Sequence, residues 1–253
     1  MNWQPIILGG IQGLTEFFPI SSSAHLIFFY HFFFRETPSL WFDVILHGGT
    51  WLAVLLYLYP YYRRLFRRPI LILNVLLATV PAGILGYLLE EKVESYFRTQ
   101  FQLTSLILFF LGVVFLVFRK EGFKDLGDMT FSESFLVGCA QALALFPGVS
   151  RSGITLLTLF ALNFKREEAV LFSFLLSLTT IGGAFLKGIY EIRASSLFPS
   201  VNLWSGFIAS FACGILACFV LLKVVRHRGL RPFGYYRIVI GIITFLAFYF
   251  SKT

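Results

Sequence analysis

Charged residues are scarce in this sequence of 253 residues. Asp, Glu, Lys and Arg together make up 13% of the chain, whereas hydrophobic residues make up 57%. The mean hydropathy of +0.79 lies far from the balance of a soluble domain. This composition argues against a water-soluble globular protein and predicts an integral membrane protein.

Cysteine and the common cofactor motifs are also scarce or missing. The three cysteines, Cys139, Cys213 and Cys218, lack the spacing of metal ligands and do not suggest a disulfide framework. Nucleotide-binding loops, zinc-peptidase helices and dinucleotide fingerprints are absent from the sequence. Residues 1–20 contain no Lys or Arg, so we expect no cleaved signal peptide.

Six apolar runs are each about long enough to cross a bilayer as a helix. They are Trp41–Pro60, Pro69–Leu89, Phe101–Phe118, Ala169–Leu186, Val201–Leu222 and Gly234–Phe250. The net charge of +8 comes from basic residues in short loops, including Arg63–Arg68, Arg119–Lys124 and Lys223–Arg231. This pattern predicts cytoplasmic loops rather than a nucleic-acid partner, and it places both termini outside.

Two further segments, residues 3–35 and 131–165, are apolar but interrupted by Pro, Gly and polar residues. We expect them to be re-entrant helical hairpins that enter from opposite sides of the membrane. At an offset of 129 residues they share six identities in sixteen positions: Gly9/Gly138, Gln12/Gln141, Leu14/Leu143, Phe17/Phe146, Ser21/Ser150 and Ser23/Ser152. The sequence thus predicts two related halves.

The predicted fold is an all-α polytopic membrane protein with an inverted-topology repeat. Residues 1–127 would form the first repeat and residues 128–253 the second, each with one re-entrant hairpin and three spans. An odd number of spans per repeat turns the second copy upside down. Such repeats place their broken helices face to face near the middle of the membrane, where we expect the functional site.

The first hairpin carries most of the polar candidates. Gln12 and Glu16 lie four residues apart and share one helix face. A carboxylate at membrane depth requires a cation, a metal or a wet cavity. Pro19 ends the first half-helix, and Ser21, Ser22 and Ser23 are suited to cap the next one or to bind an anion at its N-terminus. His25 is a candidate nucleophile or general acid/base, with a structural role as the alternative.

The second hairpin carries the candidate phosphate clamp. Arg151 offers a planar fork of donors that suits phosphate oxygens, and its alternative role is an ion pair with Glu16. Ser150 and Ser152 add hydroxyl donors, and small residues such as Gly153 let a ligand approach the backbone. Together these residues predict an oxyanion cradle.

Other polar residues in the spans have simpler interpretations. Asp43 and His47 share a helix face and would either orient His25 or form hydrogen bonds between helices. Arg237, together with Tyr235 and Tyr236, has the pattern of an anchor at the membrane interface.

The segments Gln12–His25 and Pro147–Gly153 closely resemble the undecaprenyl-diphosphate phosphatase family, also known as the bacitracin-resistance protein family. The resemblance covers essentially the whole chain and includes Phe42–Thr50, Phe172–Leu176 and Tyr236–Gly241. It implies hydrolysis of undecaprenyl diphosphate to the monophosphate, which recycles the lipid carrier for cell-wall synthesis and confers bacitracin resistance. It also implies a multi-pass protein of the bacterial plasma membrane. Because the first hairpin enters from the side of the outward loop at Arg35, we expect its active site to open to the outer side.

By position, the resemblance implies that Glu16, Ser22, His25 and Arg151 are catalytic. Gln12, Ser21, Ser23, Ser150, Ser152 and Gly153 would bind the substrate. A divalent cation, Mg²⁺ or Ca²⁺, would be held by Glu16. Many relatives have Glu at the position of Gln12, so this chain has one carboxylate fewer for the metal.

The sequence leaves several alternatives open. The nucleophile could be Ser22, His25 or water. The expected partners are the polyprenyl diphosphate and membrane lipids, without nucleic acid, and a homodimer remains open. Because inverted repeats with broken helices also build secondary transporters, a flippase of polyprenyl phosphate lipids is the alternative function.

Overall fold

The computed structural model describes residues 3–34, 40–97, 99–194 and 201–250, and this part of the chain is almost entirely helical. The helices are α1 Gln4–Phe17, α2 Ser22–Phe29, α3 Leu40–Tyr57, α4 Tyr62–Phe66, α5 Pro69–Phe97, α6 Phe101–Val117, α7 Phe131–Ala142, α8 Arg151–Ala161, α9 Arg166–Ala194, α10 Val201–Arg228 and α11 Arg231–Phe250. The predicted all-α class is confirmed.

Four of the described helical segments are long and apolar enough to cross a membrane. They are Pro69–Leu89, Arg166–Glu191, Leu203–Arg228 and Arg231–Phe250. The helices at the other two predicted spans are apolar but shorter, Phe42–Tyr57 and Phe101–Val117. A multi-pass membrane protein is therefore the architecture that length and composition support.

The two predicted hairpins each contain a helix that ends and starts again. In the first, α1 and α2 are separated by residues 18–21, which we call the first break. In the second, α7 and α8 are separated by residues 143–150, the second break. Pro19 lies in the first break, as expected for a residue that cannot continue a helix.

Apart from the short α4, the helices of the two predicted halves follow one another in the same order and pack in corresponding pairs. Helix α1 packs on α10, and its counterpart α7 packs on α5. Helix α3 packs on α9, and α6 on α11. Both corresponding pairs come very close at glycine: a Cβ on Gly9 would lie 2.2 Å from the carbonyl oxygen of Gly206, and one on Gly138 would lie 2.5 Å from that of Ala78.

Candidate active site

The backbone at both breaks adopts the same unusual conformation. Ser21 and Ser150 each have a φ angle of 72° and directly precede α2 and α8. This left-handed region is uncommon for residues other than glycine. Because the two serines are equivalent in the sequence repeat, Ser22 and Arg151 become the first residues of equivalent helices.

These two first residues meet at the carboxylate of Glu16. The Ser22 hydroxyl donates to Oε2 of Glu16 at 2.6 Å, and Nη2 of Arg151 donates to Oε1 at 3.0 Å. Nε2 of Gln12 donates to Oε2 at 3.1 Å. Arg151 also donates to the Ser177 hydroxyl of α9 through Nη1. The carboxylate of the first half is thereby joined to the guanidinium of the second.

A cavity of about 490 Å³ opens beside this cluster. Glu16, Ser22 and Arg151 line one part of it, together with Ser21, Ser23, Ser150 and His47. The opposite walls come from α5 and α9, where small side chains lie next to Tyr87 and Lys187. Cationic, hydroxyl and carboxylate groups therefore share one cavity with largely apolar walls.

His25 lies outside the residues that line this cavity. Its Nδ1 donates to the carbonyl oxygen of Ser21 at 2.7 Å, and its Nε2 lies 2.8 Å from the Tyr236 hydroxyl. The side chain is buried and stacks on the Tyr236 ring. Both ring nitrogens are thus engaged in holding the first break to α11.

Three of the serines predicted to bind substrate form hydrogen bonds with backbone groups. Ser150 caps α8 by accepting from the backbone N–H of Gly153 at 3.3 Å, and Ser152 donates to the carbonyl of Phe18 at 3.1 Å. Ser21 accepts from the backbone N–H of Gly148 at 3.0 Å instead of capping its own helix. Ser21 therefore connects the two breaks, and Ser152 connects α8 to the first break.

His47 does not orient His25 but lies against another helix: Nδ1 donates to the backbone carbonyl of Asp43 at 2.7 Å, and Nε2 faces Glu16 of α1 in the cavity at 3.9 Å. Arg237 is not an interface anchor, because its side chain is 0% exposed. The available signal for Arg237 was a lone Arg within an apolar run, which is costly at membrane depth.

The oxygens around Glu16 could hold a metal ion only together with oxygens from a bound phosphate group. Among the described residues, Glu16 is the one carboxylate that lines the cavity, and no group of three His, Cys, Asp or Glu side chains is arranged around a common point. Mg²⁺ is commonly held by one or two carboxylates together with substrate phosphates. Glu16 and the neighbouring serine hydroxyls suit an ion that binds with a phosphate group, rather than a cage made by the protein alone.

A family model described as bacitracin resistance protein BacA matches residues 5–243 of this chain. The chain belongs to the BacA family. The match covers both breaks, every residue around Glu16 and α11 up to residue 243. The site described above therefore lies wholly within the matched region.

Curated relatives of the chain match it over nearly its whole length. An undecaprenyl-diphosphatase of Caldicellulosiruptor bescii is 40% identical, with 99% of this chain and 98% of that protein covered. The undecaprenyl-diphosphatase of Thermotoga maritima is 36% identical, with 96% and 99% covered. That of Methanobrevibacter smithii is 35% identical, with 96% of each covered.

Proposed function

We propose that this chain hydrolyses undecaprenyl diphosphate to undecaprenyl phosphate and inorganic phosphate. The reaction recycles the lipid carrier for cell-wall synthesis and confers resistance to bacitracin. The observation that carries the proposal is that Ser22 and Arg151, the first residues of two helices, meet Glu16 at the end of α1 beside one cavity. The family and the names of its curated relatives support the same reaction.

The chemistry of this cluster suits phosphoryl transfer. Hydrolysis of a diphosphate depends mainly on positioning and on neutralising charge at the phosphoryl oxygens. Arg151 supplies a cation with several donors, and the free N–H groups at the start of α8 add partial positive charge. The bridging P–O bond breaks, the oxygen of water ends on inorganic phosphate, and the lipid leaves as its monophosphate.

Three attacking groups remain proposals: Ser22, His25 and water. Ser22 lines the cavity and donates to Glu16, an arrangement suited to proton removal by the carboxylate. Attack by His25 would first require its contact with Tyr236 to open. Trapping with substrate labelled in the terminal phosphate separates the three, since phosphoserine survives acid, phosphohistidine does not, and direct attack by water leaves no label.

We also propose that a divalent cation, Mg²⁺ or Ca²⁺, takes part in the reaction. Glu16 would hold it, with phosphate and hydroxyl oxygens as the remaining ligands. When bound, such an ion neutralises developing charge on the phosphates. The site residues of the chain would still bind and orient the headgroup.

The proposed architecture is six spans and two re-entrant hairpins in an inverted repeat, with halves 1–127 and 128–253. The corresponding helix order and the paired breaks support it. Labelling of single cysteines in sealed cells should place residue 3 outside and residue 66 inside. Labelling of both from the same side would contradict this topology.

The proposed location is the bacterial plasma membrane, with the active site open to the outer side. The proposed partners are the polyprenyl diphosphate and surrounding lipids, and a homodimer stays a prediction. The flippase alternative is not favoured, because the curated relatives are named for diphosphatase activity.

The decisive experiment measures phosphate release by the purified chain in detergent, where transport between two compartments cannot occur. We expect release from undecaprenyl diphosphate and its loss in a Glu16→Ala variant. A purified, folded chain that releases no phosphate with Mg²⁺ or Ca²⁺ present would overturn the proposed function.

A further inference from the structure

Arg237 is a buried guanidinium in α11 that the proposed chemistry does not use. Its Nη1 donates to the carbonyl oxygen of Pro19 at 3.1 Å, and its Nη2 donates to that of Gly148 at 2.5 Å. Pro19 belongs to the first break and Gly148 to the second. One side chain therefore connects the two breaks directly.

The surroundings of Arg237 show that this link is its main polar interaction. The guanidinium lies over the ring of Phe115, 5.1 Å from the centroid, and Nε has no hydrogen-bond partner among the described residues. Carbonyl oxygens at a helix break lack their helical donors and need other partners when buried. Arg237 supplies donors to two such oxygens at once, which its planar fork allows.

The two carbonyl groups that Arg237 contacts lie a few residues along the chain from the proposed active-site residues. Pro19 lies three residues from both Glu16 and Ser22, and Gly148 lies three residues from Arg151. The separation of the two breaks therefore sets the separation of Glu16 and Ser22 from Arg151. A displacement of about 1 Å between reacting groups can cost roughly a hundredfold in rate.

We propose that Arg237 is a positioning residue that holds the two breaks in the register required for hydrolysis. This inference rests on the proposed diphosphatase function and adds a residue that acts through Glu16, Ser22 and Arg151. The adjacent Tyr236 contributes to the same contact surface, because its hydroxyl lies 2.8 Å from His25, which donates to Ser21.

Comparison of the two halves argues that this charge is not needed for helix packing alone. At the offset of 129 residues, the equivalent of Arg237 is Leu108 in α6, which is also 0% exposed. The same buried position in the same helix pair is thus filled by an apolar side chain in the first half. A guanidinium at the second position is explained by the two carbonyls it joins.

The test uses Arg237→Lys, which keeps the charge but cannot present two fixed donors. Arg231→Lys is the matched control, since Arg231 is an exposed residue of the same helix. We expect kcat for phosphate release to fall at least about tenfold in Arg237→Lys, with KM within about twofold of the wild type. The thermal unfolding midpoint in detergent should match that of the control. Guanidinium ion should restore part of the activity of Arg237→Ala.

Hydrogen exchange supplies a readout that does not depend on catalysis. Backbone amides of the non-proline residues in 18–22 and 146–151 should exchange faster in Arg237→Lys than in the wild type, and those in Arg231→Lys should not. Unchanged exchange, or an unchanged kcat in Arg237→Lys, would overturn the inference. So would a loss of activity that follows an equal loss of stability and is not rescued by guanidinium. A wild-type protein that releases no phosphate would instead refute the proposed function.

Discussion

Arg151 contacts groups from two different helices, and its planar guanidinium is suited to this. Nη2 contacts Glu16 and Nη1 contacts Ser177. Lysine at this position would keep the charge but lose the fork. We expect Arg151→Lys to lower kcat by about a hundredfold, the typical effect of removing one donor to a developing negative charge. Phosphate release by purified protein measures the effect.

The control for this substitution is Arg63→Lys, which changes an exposed residue in the same way. It should leave phosphate release unchanged. Turnover of Arg151→Lys within about threefold of the wild type would show that Arg151 acts as a structural cation, a role its ion pair with Glu16 would then explain.

The proposed metal site involves Gln12 as well as Glu16. The amide of Gln12 donates to Glu16, whereas a carboxylate there would provide a second charged ligand. We expect thorough chelation to abolish activity and added Mg²⁺ to restore it. The Gln12→Glu variant should need less metal for half-maximal activity, by about tenfold or more, since ligand charge tunes affinity over decades. Full activity of the wild type after chelation would remove the metal from the mechanism.

Sequence reasoning found the residues around Glu16 because each departs from the apolar pattern of a membrane helix. The ion pair with Glu16, which the sequence offers as the alternative role of Arg151, is present in the structure. Sequence spacing does not show which residues from other helices contact a buried side chain. His47 and Arg237 have neighbours from distant parts of the chain, which their local spacing does not indicate.

At the scale of elements, the repeat predicted the two helix breaks but not how long each helix is. The apolar run Ala169–Leu186 is only the central part of α9, which spans Arg166–Ala194. Hydropathy identifies the part of a helix in hydrocarbon, whereas backbone hydrogen bonds continue beyond it. At the offset of 129 residues, Glu16 is aligned with Leu145 and Ser22 with Arg151, so the two predicted halves carry different residues at these positions.

The close contact of α1 with α10 gives a prediction with an adjacent control. A Cβ on Gly9 would lie 2.2 Å from the carbonyl oxygen of Gly206, so backbone would have to move. For Gly10, the nearest atom would be Sγ of Cys213 at 3.8 Å, an ordinary contact. We expect Gly9→Ala to destabilise the protein by about 1–3 kcal/mol and Gly10→Ala to be neutral or slightly stabilising. Unfolding in detergent measures both, and equal midpoints would contradict this packing.

At the scale of the whole molecule, the position of the cavity can be related to the two sides of the membrane. On α5 and α9 its walls extend from the middle of each helix, at Thr79 and Thr179, into the second half, at Tyr87 and Lys187. Basic residues precede both helices, at Arg63–Arg68 and Lys165–Arg166, and predict that these helices start in the cytoplasm. The cavity would then lie toward the outer side, in agreement with the proposed orientation.

This orientation predicts that the protein hydrolyses the lipid diphosphate in the outer leaflet. We expect right-side-out vesicles to release phosphate to the external medium when substrate is confined to the outer leaflet. Substrate confined to the inner leaflet should be hydrolysed only after detergent is added, since detergent removes the barrier between the leaflets. Vesicles with the Glu16→Ala variant control for leakage and for other phosphatases. The opposite orientation would follow if sealed vesicles rapidly hydrolysed substrate in the inner leaflet but not in the outer leaflet. This result is diagnostic because the headgroup cannot cross the hydrocarbon layer on its own at a comparable rate.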